Sequence, residues 1–286
     1  MDFKKGYTIK PKEVLTNGEV IFTDGTNDVR SNQITCEAYG YNWGTKSQKC
    51  FAYKHNSKVH TSFRNTTNQR QGSQNKTERD TISTIINGND NITKGTNKNN
   101  LINGENNTLN SGVNNAVIFG KNANVLNSGQ FTIGGGAGWS DFPLGNKQPS
   151  IIQLGGVTTD NTATNLAIFG NTGADVNDRW IEYQNNSVFA FEVKVIGLCY
   201  GGSEGTAGHY VYQEIKGAAV ITDGFTPTFS QSTTTIASSG TTGSAVMAHA
   251  GVDPYITVKV TGTTNVSIEW FASVQLTENK LNSVTF

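Results

Sequence analysis

A chain of 286 residues, 35% hydrophobic and 15% charged, has room for two or three modest domains but little apolar material for one large private core. Its 22 Lys+Arg balance 22 Asp+Glu and no strong basic run or recognised module appears, so nucleic acid is not an expected partner. No run of about eighteen apolar residues occurs, so no helix is expected to insert in a membrane, and the opening MDFKKGYTIKPKEV lacks the apolar stretch of a secretory signal.

Residues 1–80 are read as an N-terminal region. They carry 13 Lys+Arg and 8 Asp+Glu, a balance of +5. Val20-Ile21-Phe22 predicts a short strand, and CEAYGYNWGTKSQKC, from Cys36 to Cys50, predicts a hairpin rich in aromatics and glycine. Three cysteines are too few for a disulfide scaffold. Cys36 and Cys50 are read as a buried reduced pair or a disulfide, and Cys199 as a small buried hydrophobe. With His55 and His60 the spacing is C-x13-C-x4-H-x4-H. Structural zinc uses a close C-x2–4-C pair, so no metal is expected.

Residues 81–135 hold the clearest pattern. Ile85-Ile86, Leu101-Ile102 and Val117-Ile118 each precede a glycine, Gly88, Gly104 and Gly120, at intervals of 16 residues; Gly134, after Ile133, follows at 14. An Asn-rich tripeptide and a further apolar residue come next each time: Ile92, Leu109, Val125. Glycine and asparagine tolerate φ > 0, which tight corners need. The pattern predicts short strands stacked as the coils of a β-roll, with Ile86, Ile102, Ile118 and Ile133 as its core or as the core between copies. A roll this thin buries few side chains, which favours three chains packed together, a homotrimer. In residues 136–180, read as a connector, IIQLGG (151–156) and NLAIFG (165–170) echo the motif and predict one or two further coils.

Residues 181–286 switch to a period of two: Phe189, Phe191, Val193, Val195, then Ile256, Val258, Val260, then Val266, Ile268, Trp270, Ala272, Val274, Leu276. This predicts an antiparallel β-sandwich with one buried face per strand, Trp270 in its core. Residues 136–286 together carry 6 Lys+Arg and 12 Asp+Glu, a balance of −6. Its acids are scattered and its histidines, His209 and His249, lack a nucleophile partner, so no catalytic residue, cofactor or enzymatic activity is expected. Among its aromatics, Tyr200, Tyr210 and Tyr255 lie in Gly- and Ser-rich stretches read as loops, where recognition commonly sits, and are the candidate receptor contacts.

The coil motif resembles the left-handed β-roll of trimeric autotransporter heads, a YadA-like repeat also used in phage fibres. The strand-and-tryptophan ending resembles C-terminal domains of phage tail and fibre proteins. The Cys36–Phe51 segment running into coils resembles fibre proteins of crAss-like phages that infect Bacteroidetes. These resemblances imply an all-β homotrimer on the virion surface, as a head or tail fibre. They further imply an N-terminal anchor to other virion proteins, with Cys36, Tyr39, Tyr41, Trp43, Cys50 and Phe51 as candidates, and host-surface glycans as possible partners of the other end. The rival reading is a bacterial trimeric autotransporter adhesin, because the last residues alternate and end in Phe286, as outer-membrane strands do.

Overall fold

The computed structural model describes residues 2–52, 68–78, 80–135, 143–170, 179–222, 226–240 and 243–280. Two compact units emerge, Met1–Asn65 and Thr66–Phe286. The fold is almost entirely β, as the alternation and the coil pattern predict.

In the first unit, β1 (Lys10–Val14), β2 (Val20–Thr23) and β3 (Asp28–Val29) form an antiparallel sheet. A single turn of helix, α1 (Gln33–Ala38), starts where the Asn32 side chain accepts from the Thr35 amide at 2.8 Å. The hairpin of β4 (Asn42–Gly44) and β5 (Lys49–Phe51) follows, as the sequence predicts. A disulfide joins Cys36 on α1 to Cys50 on β5, which settles the choice left open by the sequence. A unit this small buries little, and the crosslink holds a core of Val20, Phe22 and the two half-cystines.

The second unit begins with stacked coils. One ladder contains β6 (Gln69–Gln71), β8 (Ile85–Asn89), β10 (Leu101–Glu105), β12 (Val117–Lys121) and β14 (Phe131–Gly135), all parallel. The other contains β7 (Lys76–Thr77), β9 (Ile92–Thr93), β11 (Thr108–Leu109) and β13 (Asn124–Val125). Coils therefore start near residue 68, earlier than residue 81, where the apolar motif first becomes recognisable: the first coil has Arg70 where later coils have isoleucine.

Ile86, Ile102 and Ile118 are fully buried and stand in register, and their burial contributes roughly 1.5–3 kcal/mol each. Ile133 does not join them. Gly134 pairs with Gly120, so Thr132, two residues before it, pairs with Ile118 and takes the inner slot, while Ile133, one residue before it, pairs with Phe119 and is 49% exposed. On the other ladder the inner column is Thr93, Leu109 and Val125; Ile92 pairs with Thr108 and lies half-buried. The glycines answer to close approach as well as to φ. Gly88 and Gly104 have φ of 122° and 152°, and a Cβ on either would collide with the carbonyl of the equivalent glycine one coil on.

Buried asparagines stitch the coils together. Asn75, Asn91 and Asn107 form a column at 16-residue intervals. Asn91 Oδ1 accepts from the Asn107 amide at 3.1 Å, and Asn107 Oδ1 accepts from the Ala123 amide at 2.9 Å. Asn91 Nδ2 donates to Gly104 O at 2.8 Å and Asn107 Nδ2 to Gly120 O at 2.9 Å. Replacing Asn107 with Ala leaves buried backbone donors and acceptors unmatched in two coils. A loss of about 2 kcal/mol in unfolding free energy is expected. A denaturant midpoint unchanged from that of the parent chain would refute a structural role for this column.

Past β14 the chain reverses. β15 (Gln148–Thr158) runs antiparallel to β14, with Phe131 opposite Ile151, and continues the same sheet into β24 (Ser267–Lys280), β19 (Ser187–Gly201), β20 (Tyr210–Ile221) and β21 (Thr228–Ser239). A second sheet of β16 (Ala163–Asn165), β18 (Ile181–Glu182), β22 (Ser244–His249) and β23 (Tyr255–Thr261) covers its inner face. The core between them holds Phe189, Phe191, Val193, Val195, Ile268 and Trp270, whose indole donates to Thr158 at 2.9 Å.

Two expectations are corrected here. IIQLGG lies in β15 and is antiparallel to β24 throughout, and NLAIFG supplies β17 (Ala167–Ile168), antiparallel to β15. Neither is a further coil. Both are Ile/Leu runs before glycine, and antiparallel pairing to a long neighbour claims them before a fifth coil closes. The alternating end of the chain is a central strand of the sandwich, paired on both sides with β15 and β19, so its alternation reports a protein core. Residues 281–286 lie outside the described residues.

Candidate functional site

The β19–β20 hairpin carries the side chains of greatest interest. Strand alternation puts Val193 and Val195 inward and leaves Ile196 (46% exposed) and Leu198 outward. Register places Tyr210 beside Leu198, and Phe271 of β24 beside Ile196. Tyr200, 53% exposed, stands at the end of β19 where the hairpin loop begins. The result is an exposed aromatic and aliphatic patch at one end of the outer face of the sheet.

Tyr200 and Tyr210 thus come together, on strands flanking a loop instead of within it. Tyr255 does not join them: it starts β23, paired with Glu182 of β18, and is only 6% exposed. Tyrosine near glycines and prolines reads alike whether it caps a core or faces solvent, and only the partner sheet decides. His249 lies near it, bonded through Nε2 to Asp253 at 2.9 Å, while Nδ1 accepts from the Gly251 amide. Asp253 Oδ1 also accepts from the Tyr183 hydroxyl at 3.0 Å, and burial pushes that phenol up to about 12. These groups hold the turn before β23.

The N-terminal candidates are core residues of their own unit. Cys36 and Cys50 are crosslinked, Phe51 is buried, and Tyr39, Tyr41 and Trp43 pack half-buried on the disulfide cluster. The Tyr39 hydroxyl donates to Ile9 O at 2.7 Å. Cys36 and Cys50 are thereby withdrawn from any thiolate site; His55 and His60 lie outside the described residues, as does Trp139. Among the described residues no group of three or more His, Cys, Asp or Glu side chains is placed to hold a metal.

Two polar features remained invisible to sequence reasoning. A groove of about 470 Å³ runs over a corner of the coils, lined by Gln74, Lys76, Asp90, Asn106 and Asn122. Lys121 and Glu105 beside it form an exposed ion pair at 2.9 Å. The other feature is buried, where the last coil meets the sandwich. Glu278 accepts from Gln148 at 3.2 Å and from Gln184 at 3.3 Å; Lys280 Nζ reaches Gln184 at 3.3 Å, and Asn124 donates to Gln184 at 3.0 Å. Burial raises the Glu278 carboxyl to about 7, against the pull of the two amides and of Lys280. Residue 278 continues the inward series of Ile268, Trp270, Ala272, Val274 and Leu276, so strand alternation turns its carboxyl to the buried face, where the sequence shows only a glutamate past the last apolar position.

No protein-family model and no curated protein sequence matches the chain. Among solved structures it is similar to the tailspike protein of Acinetobacter phage vB_ApiP_P1, at 10% identity and a TM-score of 0.26 over 74% of this chain and 49% of that one. It is also similar to the tailspike protein of Acinetobacter baumannii phage AM24, at 9% identity and a TM-score of 0.24 over 71% and 46%. The chain spans about half the length of these proteins.

Proposed function

We propose that this chain is a non-enzymatic appendage of a phage particle, a head fibre or short tail fibre. It acts as a homotrimer on the virion surface, anchored through its N-terminal region and presenting its C-terminal sandwich to host-surface glycans. The observation that carries the reading is the stack of parallel coils, locked by asparagine and glycine columns and continuing strand for strand into the sandwich. Such a body transmits position along its length, and its repeated geometry serves rigidity. Its exposed features are contact surfaces. The charge split of +5 over residues 1–80 and −6 over residues 136–286 supports different partners at the two ends. Three copies per fibre and many fibres per particle make weak glycan contacts sufficient, because linked sites bind by avidity.

Immunogold labelling of intact particles tests placement: label on the capsid or on the tail supports the reading, and particles without label overturn it. Host contact is assigned to Tyr200, at the loop end of the hairpin. Changing Tyr200 to Ala is expected to lower binding of the full chain to host cells about tenfold or more through avidity, with no change in melting temperature, since the ring is half exposed. Equal binding by the variant and the parent would remove Tyr200 from the host contact.

A further inference from the structure

We infer that the outer face of the sheet running from the coils into the sandwich is an interface with a second copy of this chain. The homotrimer proposed above sets only the number of copies; the face is argued on its own observations.

Register defines the face. Phe131 of β14 stands opposite Ile151 of β15, both exposed, and the same row continues to Gln275 of β24, Glu192 of β19 and Lys216 of β20. Along the coils the row runs back through Val117 and Leu101 to Ile85. Toward the hairpin end the face presents Val157, Phe271, Ile196 and Leu198, each 44–48% exposed. The inner face of these strands is already the apolar core. The outer face thus carries two apolar clusters, one along the coils and one at the hairpin end, interrupted by Gln275, Glu192 and Lys216, whereas a fully solvated antiparallel sheet turns polar outward.

The extent of the apolar surface points the same way. Summed over its clusters, the large hydrophobic side chains of this face expose on the order of 1,000 Å², comparable with the roughly 800 Å² per partner of a stable interface. The occupant is argued from chemistry and from length. A polar glycan has nothing to offer a row of Ile, Leu, Val and Phe. The apolar row follows successive coils and a second apolar cluster sits at the hairpin end, so the partner must present apolar surface at both places, and another copy lying alongside presents both. The charges between the apolar clusters are mixed in sign, Glu192 and Glu214 with Lys194 and Lys216, and Lys216 lies within 4 Å of both glutamates. A mixed patch of this kind does not repel its own copy. Tyr210, paired with Leu198, belongs to this interface, and Tyr200 alone remains at the open end.

The test is the oligomeric state of the full chain by sedimentation equilibrium. Ile196→Glu with Phe271→Glu adds like charge at exposed positions, so each chain still folds, as far-UV circular dichroism will register, while two copies repel across the face. Val246→Lys, 40% exposed on the second sheet, is the matched control. We expect an oligomeric parent, an oligomeric control, and a double variant whose dissociation constant rises about a hundredfold or more. A double variant as oligomeric as the parent overturns this face while leaving the homotrimer standing. A parent chain that is monomeric at micromolar concentration overturns both. Dissociation of the control together with the double variant also overturns the face, because charge anywhere then has the same effect.

Discussion

Ile102→Asp is expected to unfold the coil region, lowering stability by at least about 4 kcal/mol. Ile102 is fully buried between Ile86 and Ile118, which occupy the same slot in the coils before and after it. A carboxylate there loses the transfer energy of the isoleucine and meets no donor: its neighbours in the cluster are Leu109, Val113, Ala116 and Val125. The damage propagates, because each coil is stabilised mainly by the ones beside it. Asn103→Asp is the control. It stands one residue on, exposed on the outer side of the same strand, and should change stability by less than about 0.5 kcal/mol. The contrast is read by thermal melting and by hydrogen exchange of the amides of β8, β10 and β12. An Ile102→Asp chain that melts like its parent, with those amides still protected, would show that the inner slot has been misassigned.

Much of this fold was legible because its grammar is local. A 16-residue interval between glycines fixes coil length, and an aliphatic pair before each glycine fixes which residue turns inward; Ile86, Ile102 and Ile118 follow from that alone. The same rule, read strictly, excludes Ile133. The inner residue stands two before the glycine in every coil, and before Gly134 that position is Thr132, bonded to Ser150 at 3.0 Å, while Ile133 stands one step on and turns outward. An aliphatic residue near a glycine is therefore not enough; it must stand at the same offset from it. Ile92 shows the same point, since counting 16 from it reaches Thr108, not Leu109.

The role of the asparagines was half legible. Asn99, Asn106, Asn115 and Asn122 do hold left-handed corners, with φ between 54° and 62°. Asn75, Asn91 and Asn107 do something composition cannot reveal: they turn inward and replace apolar core with hydrogen bonds between coils. The candidate contacts divide for a related reason. Alternation gives the side on which Tyr200 and Tyr210 stand, whereas Tyr255 lies buried beside β18, a strand more than seventy residues earlier that alternation cannot place. The echo motif in β15 failed for want of the same information, because its antiparallel partner, β24, lies more than a hundred residues away.

Stability is expected to fall as pH rises from about 4.5 to above 7, and Glu278 should account for much of the slope. Its carboxyl is fully buried where the last coil meets the sandwich, and burial raises it from 4.5 to about 7. A carboxyl raised in the folded state binds its proton more tightly there than in the unfolded chain. Its favourable contribution is complete below about pH 4.5 and is lost as pH climbs through about 7. Each unit of difference is worth about 1.4 kcal/mol, so the whole change is about 3 kcal/mol. Glu182, more than half buried nearby, is raised by burial as well and adds a slope of the same sign. Lys280 works the other way: burial lowers it, against the pull of Glu278, so its contribution grows with pH. Glu278→Gln isolates the first of these. The amide fills the same space and does not titrate, so the stability difference between pH 5 and pH 8 should shrink by about 3 kcal/mol relative to the parent. Guanidinium unfolding at the two pH values reads this directly. Parallel pH profiles for parent and variant would mean that Glu278 stays ionised in its amide cage, held by Gln148, Gln184 and Lys280, and that the junction is insensitive to protons.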